Sequence, residues 1–220
     1  MPAESPVEQT SDSRMPLRNE PVQARSTARL AALLDAAATI VDEVGYERLT
    51  TAMVSERAGA SIGTVYRYFP DRIALLQALG ARNLDRVLTR AGDAVLDPQY
   101  SDWASALEAA FAVLVDAFRT EPGFRGLRVG DVIDLRPAPN ERRYNTVVSD
   151  RLLEGLVARF DVTDTPELRL ALEASVEISD ALAARAFALD PQGDAAFLTM
   201  STEIVYGLLV PRLGEAPSAA

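Results

Sequence analysis

From Ser26 the chain places Leu30, Leu33, Leu34, Ala37, Val41 and Val44 at steps of three and four before Gly45, which is one apolar face of a helix with a glycine stop. A second, short helix follows. Thr50 is its cap, Leu49 and Val54 form a hydrophobic staple across it, and Gly59 ends it in the left-handed conformation. Ser61 caps a third helix over Ile62 to Phe69, with Val65 and Phe69 on one face and Gly63, Thr64 and Arg67 on another. Pro70 and Asp71 open a helix to about Arg90, carrying Ile73, Leu76, Leu84, Val87 and Leu88 on one face.

After Asp97-Pro98, Ser101 or Asp102 caps a helix with Trp103, Leu107, Phe111, Leu114 and Phe118 down one side, ended by Glu121-Pro122-Gly123. A short apolar segment, Phe124 to Leu135, precedes Arg136-Pro137-Ala138-Pro139. Asn140 then caps a helix through Tyr144, Val148, Leu152, Leu156 and Phe160. Thr165 with Pro166 opens a longer helix to about Leu189, and Asp190-Pro191-Gln192-Gly193 turns the chain into a last helix, Asp194 to about Val210. That helix is apolar nearly all round at Ile204 to Val210, the mark of burial. No strand pairs, internal repeat or run of about 18 apolar residues occurs, so the expected fold is all-α with no membrane span.

Two short helices joined by a tight glycine-containing turn read as a helix-turn-helix, whose second helix enters the major groove of double-stranded DNA. Gly63 permits close backbone approach, while Thr64, Tyr66, Arg67 and Tyr68 offer hydroxyls and a guanidinium to phosphates and base edges.

The run S-I-G-T-V-Y-R-Y-F-P-D-R from Ser61 to Arg72, preceded by T-T-x-x-V-S-E-R-A-G-A, resembles the DNA-binding domain of the tetracycline-repressor (TetR) family of bacterial regulators. The resemblance covers about Arg25 to Leu88 and implies phosphate contacts at Thr51 and Tyr66. It further implies base or phosphate contacts at Thr64 and Arg67, core positions at Val65 and Phe69, and a backbone anchor at Arg72. The family often has a basic or polar residue where this chain has Ile62, whose apolar side chain suits a thymine methyl instead. Residues 1–24 mix Pro, Glu, Ser and Gln without periodicity and read as a disordered arm; the domains expected after it are a DNA-binding domain over 25–70, a connecting helix over 71–90, an effector-binding and dimerisation domain over 91–213, and a tail over 214–220.

Charge fits contact at one end only. The net charge of −10 divides into −3 over residues 1–13, +3 over 14–90 and −10 over 91–220. All 22 basic residues are Arg, and His and Cys are absent, which excludes a disulfide framework, His or Cys zinc sites, a Cys nucleophile and a His base. Such a chain tolerates a reducing cytoplasm, and its first 24 residues lack the apolar core of a signal peptide. Arg14, Arg18 and Arg25 are arm cations with phosphate or minor-groove reach.

In the body, Leu168, Leu172, Val176 and Leu182, with Phe197, Ile204, Leu208 and Leu209, exceed the apolar need of one small core. Paired with a second copy they form a four-helix bundle, the family's usual homodimer. Trp103, Phe111, Phe118, Phe124 and Tyr144 lie on helices that, by resemblance, surround an effector pocket, with Asn145, Ser149 and Ser175 as polar candidates. The expected function is a non-enzymatic, cofactor-free repressor that leaves its palindromic operator when an apolar or amphipathic small molecule binds. Two alternatives stand beside it: a related protein acting through protein contacts, and an enzyme using a metal held by carboxylates such as Asp131, Asp134, Glu173 and Glu177.

Overall fold

The computed structural model describes residues 20–129 and 144–215. Among them the chain forms α1 (Glu20–Val44), a 3-10 turn (Tyr46–Arg48), α2 (Thr51–Arg57), α3 (Ile62–Tyr68), α4 (Arg72–Leu96), α5 (Trp103–Thr120), α6 (Phe124–Val129), α7 (Tyr144–Phe160), α8 (Pro166–Phe187) and α9 (Ala195–Leu213). Arg14, Arg18, Asp131, Asp134, the Arg136 to Asn140 turn and residues 216–220 lie outside the described residues.

The local signals act as their chemistry requires. The side chains of Thr50, Ser61, Asp71 and Thr165 accept hydrogen bonds from the backbone N–H three residues on, and Leu49 and Val54 are both fully buried as a staple. Gly59 turns the chain at φ 57°, in the left-handed region. Asp102 rather than Ser101 caps α5, its carboxylate accepting from the N–H groups of Ala104 and Ser105. The backbone N–H of Ser105 is the first of several donors that hold this carboxyl below its ordinary pKa.

Three boundaries differ from the periodic pattern. α1 starts at Glu20, earlier than Ser26 and inside the stretch expected as an arm over 1–24, with Pro21 in its first turn, where a missing N–H costs no helical hydrogen bond. α4 continues past Arg90 to Leu96, since Ala91 and Val95 carry its buried face onward into the body. α9 reaches Leu213 with Pro211 inside its last turn, closed by Gly214 at φ 79°.

Leu33, Ala37, Ile40, Leu49, Val54, Val65, Phe69, Leu75 and Leu79 make the core of the head. Two further clusters make the body, one around Leu153, Leu156, Leu168 and Leu172, the other around Phe118, Phe124, Ala183 and Phe187. α4 supplies all three: Leu75 and Leu79 to the head, then Leu84 and Val87, then Ala91 and Val95. α6 is the second bridge, because Leu127 lies in the head core while Phe124 lies in the body.

The last helix corrects the expectation of burial. Of its residues only Ser201 and Leu209 are buried, while Met200, Ile204 and Tyr206 are 49%, 37% and 40% exposed. Apolarity all round therefore reflects one face on the protein and another facing outward.

Candidate nucleic-acid interface and internal cavity

α3 is held by Val65 and Phe69, both buried, so its opposite face must point outward. Ile62, Gly63, Tyr66 and Arg67 are exposed there, with Ile62 at 44% and Tyr66 at 53%. An exposed isoleucine and tyrosine on one turn is apolar surface that the monomer leaves uncovered. Ser61 caps the helix through the Thr64 N–H at 3.1 Å, and the two hydroxyls also bond at 2.9 Å. The cap leaves the N-terminal N–H groups of α3 at the same exposed end, where they favour anionic oxygen.

Neighbouring hydroxyls aim this helix. Thr51 donates to the Tyr66 phenol at 3.3 Å, linking the start of α2 to α3. Tyr68 differs from the sequence expectation: it is half-buried, and its phenol bonds the Ser26 hydroxyl at 3.0 Å, which ties α3 to α1. That bond first, then Arg67 and Arg29, draws the Tyr68 pKa below its ordinary value. Arg67 lies over the Tyr68 ring at 5.2 Å, so its guanidinium is presented from an aromatic platform. Arg72 is turned inward on one side, donating to the Tyr46 and Glu47 carbonyls at 3.3 and 2.7 Å, so it secures the 3-10 turn beneath the reading face. Arg25 is exposed on α1, and Arg29, one turn later, is also exposed and close enough to act on Tyr68. Arg29 escaped the sequence reading, although an i, i+4 arginine pair on the first helix was its signal.

The body holds a partly open pocket of about 250 Å³ lined by α4, α5, α6, α7, α8 and α9. Trp103, Phe111, Asn145 and Ser175 line it as expected. Phe118 and Phe124 do not. Phe118 stacks on Phe187 at 4.8 Å and meets Phe124 edge-on at 5.0 Å, so these rings fill solid core at the C-terminal end of α5. Ser149 is also no wall residue: it is buried and donates to the Thr146 carbonyl at 2.9 Å. Tyr144 opens α7, but its side chain lies outside the described residues.

Four residues assigned to the dimer surface belong inside: Leu168 and Leu209 are 2% and 0% exposed in the body core, and Leu172 and Val176 face the pocket. Leu172 is 1% exposed and lines the cavity with Val176, because α8 turns that face toward α5 and α9. Leu182, Phe197 and Leu208 are half-buried and Ile204 is exposed. The spacing missed Arg128, Glu108, Ser179, Asp180, Ser201 and Tyr206, all in the cavity wall. Arg128 forms an ion pair with Asp180, and Trp103 stacks on Tyr206 at 5.6 Å. The Trp103 indole N–H is buried with no acceptor.

Among the described residues no group of three or more acidic side chains is placed to hold a metal ion; Glu173 accepts a hydrogen bond from Thr146 at 2.6 Å. No described helix is long and apolar enough to cross a membrane.

An outward-facing helix-turn-helix carried on a hollow helical body is the architecture of a DNA-binding transcriptional regulator. Residues 33–79 match the family described as bacterial regulatory proteins, tetR family, and residues 101–213 match the tetracyclin repressor-like C-terminal domain. The crystal structure of a TetR-family transcriptional regulator from Streptomyces coelicolor is similar at TM-score 0.70 and 32% identity, covering 86% of this chain and 99% of that one. The HTH-type transcriptional regulator BetI of Burkholderia mallei is 30% identical over 194 residues, 84% of this chain and 95% of BetI. The HTH-type transcriptional repressor KstR of Rhodococcus jostii is 40% identical over 58 residues, 26% of this chain. That match spans 27% of KstR, about a quarter of its length. The chain belongs to the TetR family of transcriptional regulators, whose members act by binding DNA and not by catalysis.

Proposed function

We propose that this chain is a homodimeric, ligand-responsive repressor that binds a palindromic operator in the cytoplasm and releases it when a small molecule fills the cavity. The observation that carries the DNA reading is the exposed face of α3, where Gly63, Tyr66 and Arg67 stand clear of a helix pinned by Val65 and Phe69. Ser61, Ile62, Thr64 and Tyr66 are its contacts at the groove, with Thr51, Arg25 and Arg29 at the flanking phosphates. Arg72 and Tyr68 support them by fixing the turn and α1.

The outer face of α9 supports the dimer. Met200, Ile204, Gly207 and Leu208 follow one another along it, and a Cβ at Gly207 would meet nothing within this chain. A mid-helix glycine costs about 1 kcal/mol relative to alanine, and close approach of a second backbone offsets that cost. Two copies related by a two-fold axis through α8 and α9 would set their α3 helices about 34 Å apart, one turn of DNA.

Induction follows from the two bridges. α4 and α6 each contribute to both head and body, so a ligand that alters the cavity wall alters the seat of the head. Gly123 N–H donates to the Asp42 carboxylate at 2.9 Å, and Arg128, one residue after Leu127 of the head core, lies in the cavity wall. A ligand favouring one seating weakens DNA binding by its coupling energy, about 1–3 kcal/mol.

The test is binding to DNA fragments selected by the wild-type chain. Tyr66→Phe is expected to lose about fivefold in affinity for one phosphate hydrogen bond, and Arg67→Ala about 1–3 kcal/mol. Equal binding by both variants and the wild type would remove α3 as the reading helix.

A further inference from the structure

The first turn of α3 carries two residues that the fold itself does not call for. Gly63 lies inside the helix, where glycine is a weaker helix former than alanine. Its backbone is helical and outside the positive-φ region that favours glycine. Packing gives no reason for it either: a Cβ there would meet only the Ser61 Oγ, at 3.9 Å, an ordinary contact. The residue is exposed, so the room kept free beside it opens outward.

Ile62 is the second. It is exposed, and among the described residues it belongs neither to the head core nor to the half-buried apolar residues packed on that core. A branched aliphatic side chain left in water forgoes the transfer free energy that burial would return.

The polar groups around these two already have partners. The Ser61 and Thr64 hydroxyls bond each other at 2.9 Å, and Ser61 also accepts from the Thr64 N–H at 3.1 Å. Thr51 donates to the Tyr66 phenol at 3.3 Å, and Arg67 lies over the Tyr68 ring. What the first turn offers free of such bonds is an aliphatic side chain beside a bare stretch of backbone.

One feature of duplex DNA matches that combination. Of the four bases only thymine presents an apolar group in the major groove, its C5 methyl. A helix backbone without a Cβ can close on the base edge, and the neighbouring isoleucine then covers the methyl. Contact of this kind needs no hydrogen bond, and it is lost when the methyl is lost.

We propose that Ile62 and Gly63 together are a specificity element that reads a thymine methyl of the operator by apolar contact. The proposal rests on the reading of α3 as the helix that enters the groove.

The test uses the full-length chain and duplexes that the wild type selects from a random pool. Each thymine of the recovered site is replaced singly by deoxyuridine, which keeps every hydrogen-bonding atom of the base edge and removes only the methyl. At least one replacement is expected to weaken binding about fourfold by fluorescence anisotropy, the worth of one buried methyl. Ile62→Ala is expected to lose most of that difference at the same position, which an isoleucine with a merely structural role would not do. Gly63→Leu is expected to keep or raise the melting temperature, because leucine is the better helix former, while DNA affinity falls by about tenfold, the scale of one lost base contact. A site at which no thymine depends on its methyl, or at which no such dependence shrinks in Ile62→Ala, overturns the proposal and leaves DNA binding by α3 standing. Unchanged DNA affinity in folded Gly63→Leu overturns it as well. If the wild type recovers no site from the pool, the reading of α3 falls and the proposal falls with it.

Discussion

Gly126 is where the coupling between body and head is most directly testable. A Cβ at this position on α6 would stand 2.8 Å from Val41 Cγ1 of α1. Val41 is 3% exposed, and its β-branched side chain has one strongly preferred helical rotamer, so it cannot swing aside. Gly126→Ala must therefore move α6 away from α1 by about 0.7 Å or more to restore ordinary carbon–carbon contact. Overpacking of this kind costs about 1–3 kcal/mol. The better helix propensity of alanine returns up to about 1 kcal/mol, leaving a net loss of about 0–2 kcal/mol by urea denaturation. The larger effect is expected in DNA affinity by fluorescence anisotropy, a loss of about 5–150-fold for a coupling of about 1–3 kcal/mol. Val41→Ala in the same chain removes the clashing methyl and is expected to restore binding. Gly155→Ala is the control: its Cβ would lie 2.6 Å from Val95 Cγ1 between α7 and α4, a comparable insult remote from the head, expected to lower stability more than DNA affinity. If Gly126→Ala loses stability but binds DNA like the wild type, α6 does not transmit anything to the head.

Three further outcomes follow from particular side chains. Asp102→Ala is expected to cost about 1 kcal/mol at neutral pH through loss of the α5 cap. Because the folded carboxyl titrates below its ordinary value of 3.8, that cost is fully present above this pH and shrinks as the pH falls through the folded value; a gap that grows in acid would refute the cap assignment. Trp103→Phe removes a buried N–H without an acceptor, worth about 1–3 kcal/mol, against a similar loss of apolar wall, so a melting free energy within about 1 kcal/mol of the wild type is expected by calorimetry. Ile204→Arg places a charge on the outer face of α9 and is expected to convert dimer to monomer in sedimentation while helicity by circular dichroism is kept; an unchanged dimer would move the two-fold axis elsewhere.

Caps and stops were legible in the sequence because each is decided within four residues. Thr50, Ser61 and Thr165 need only their own backbone neighbours to act, and so does Gly59. The face of each long helix was legible too, but not what that face meets. Phe111 and Phe118 are two turns apart on one stripe of α5, yet one lines a cavity and the other stacks on Phe187. A period of 3.6 separates inside from outside; it carries no information on whether the inside is filled. α9 fails for a related reason, since apolar residues on all sides define no direction. Arg128 lies in a short apolar segment whose partner Asp180 is 52 residues away, beyond the reach of local pattern.

The charge distribution sets the terms on which such a protein meets DNA. A body of −10 and an opening segment of −3 repel phosphates, and only residues 14–90, at +3, attract them. Productive encounters are therefore limited to one orientation, with the α3 end leading, and sequence-independent affinity is small because few counterions are displaced. On the proposed reading, discrimination would then come from close contact at Gly63, Tyr66 and Arg67 rather than from general attraction. On the proposed reading of a ligand-responsive dimer, that weak background would make induction efficient: once the heads lost their spacing, little residual electrostatic binding would hold the dimer to DNA, and a coupling energy of only about 1–3 kcal/mol would suffice to release it.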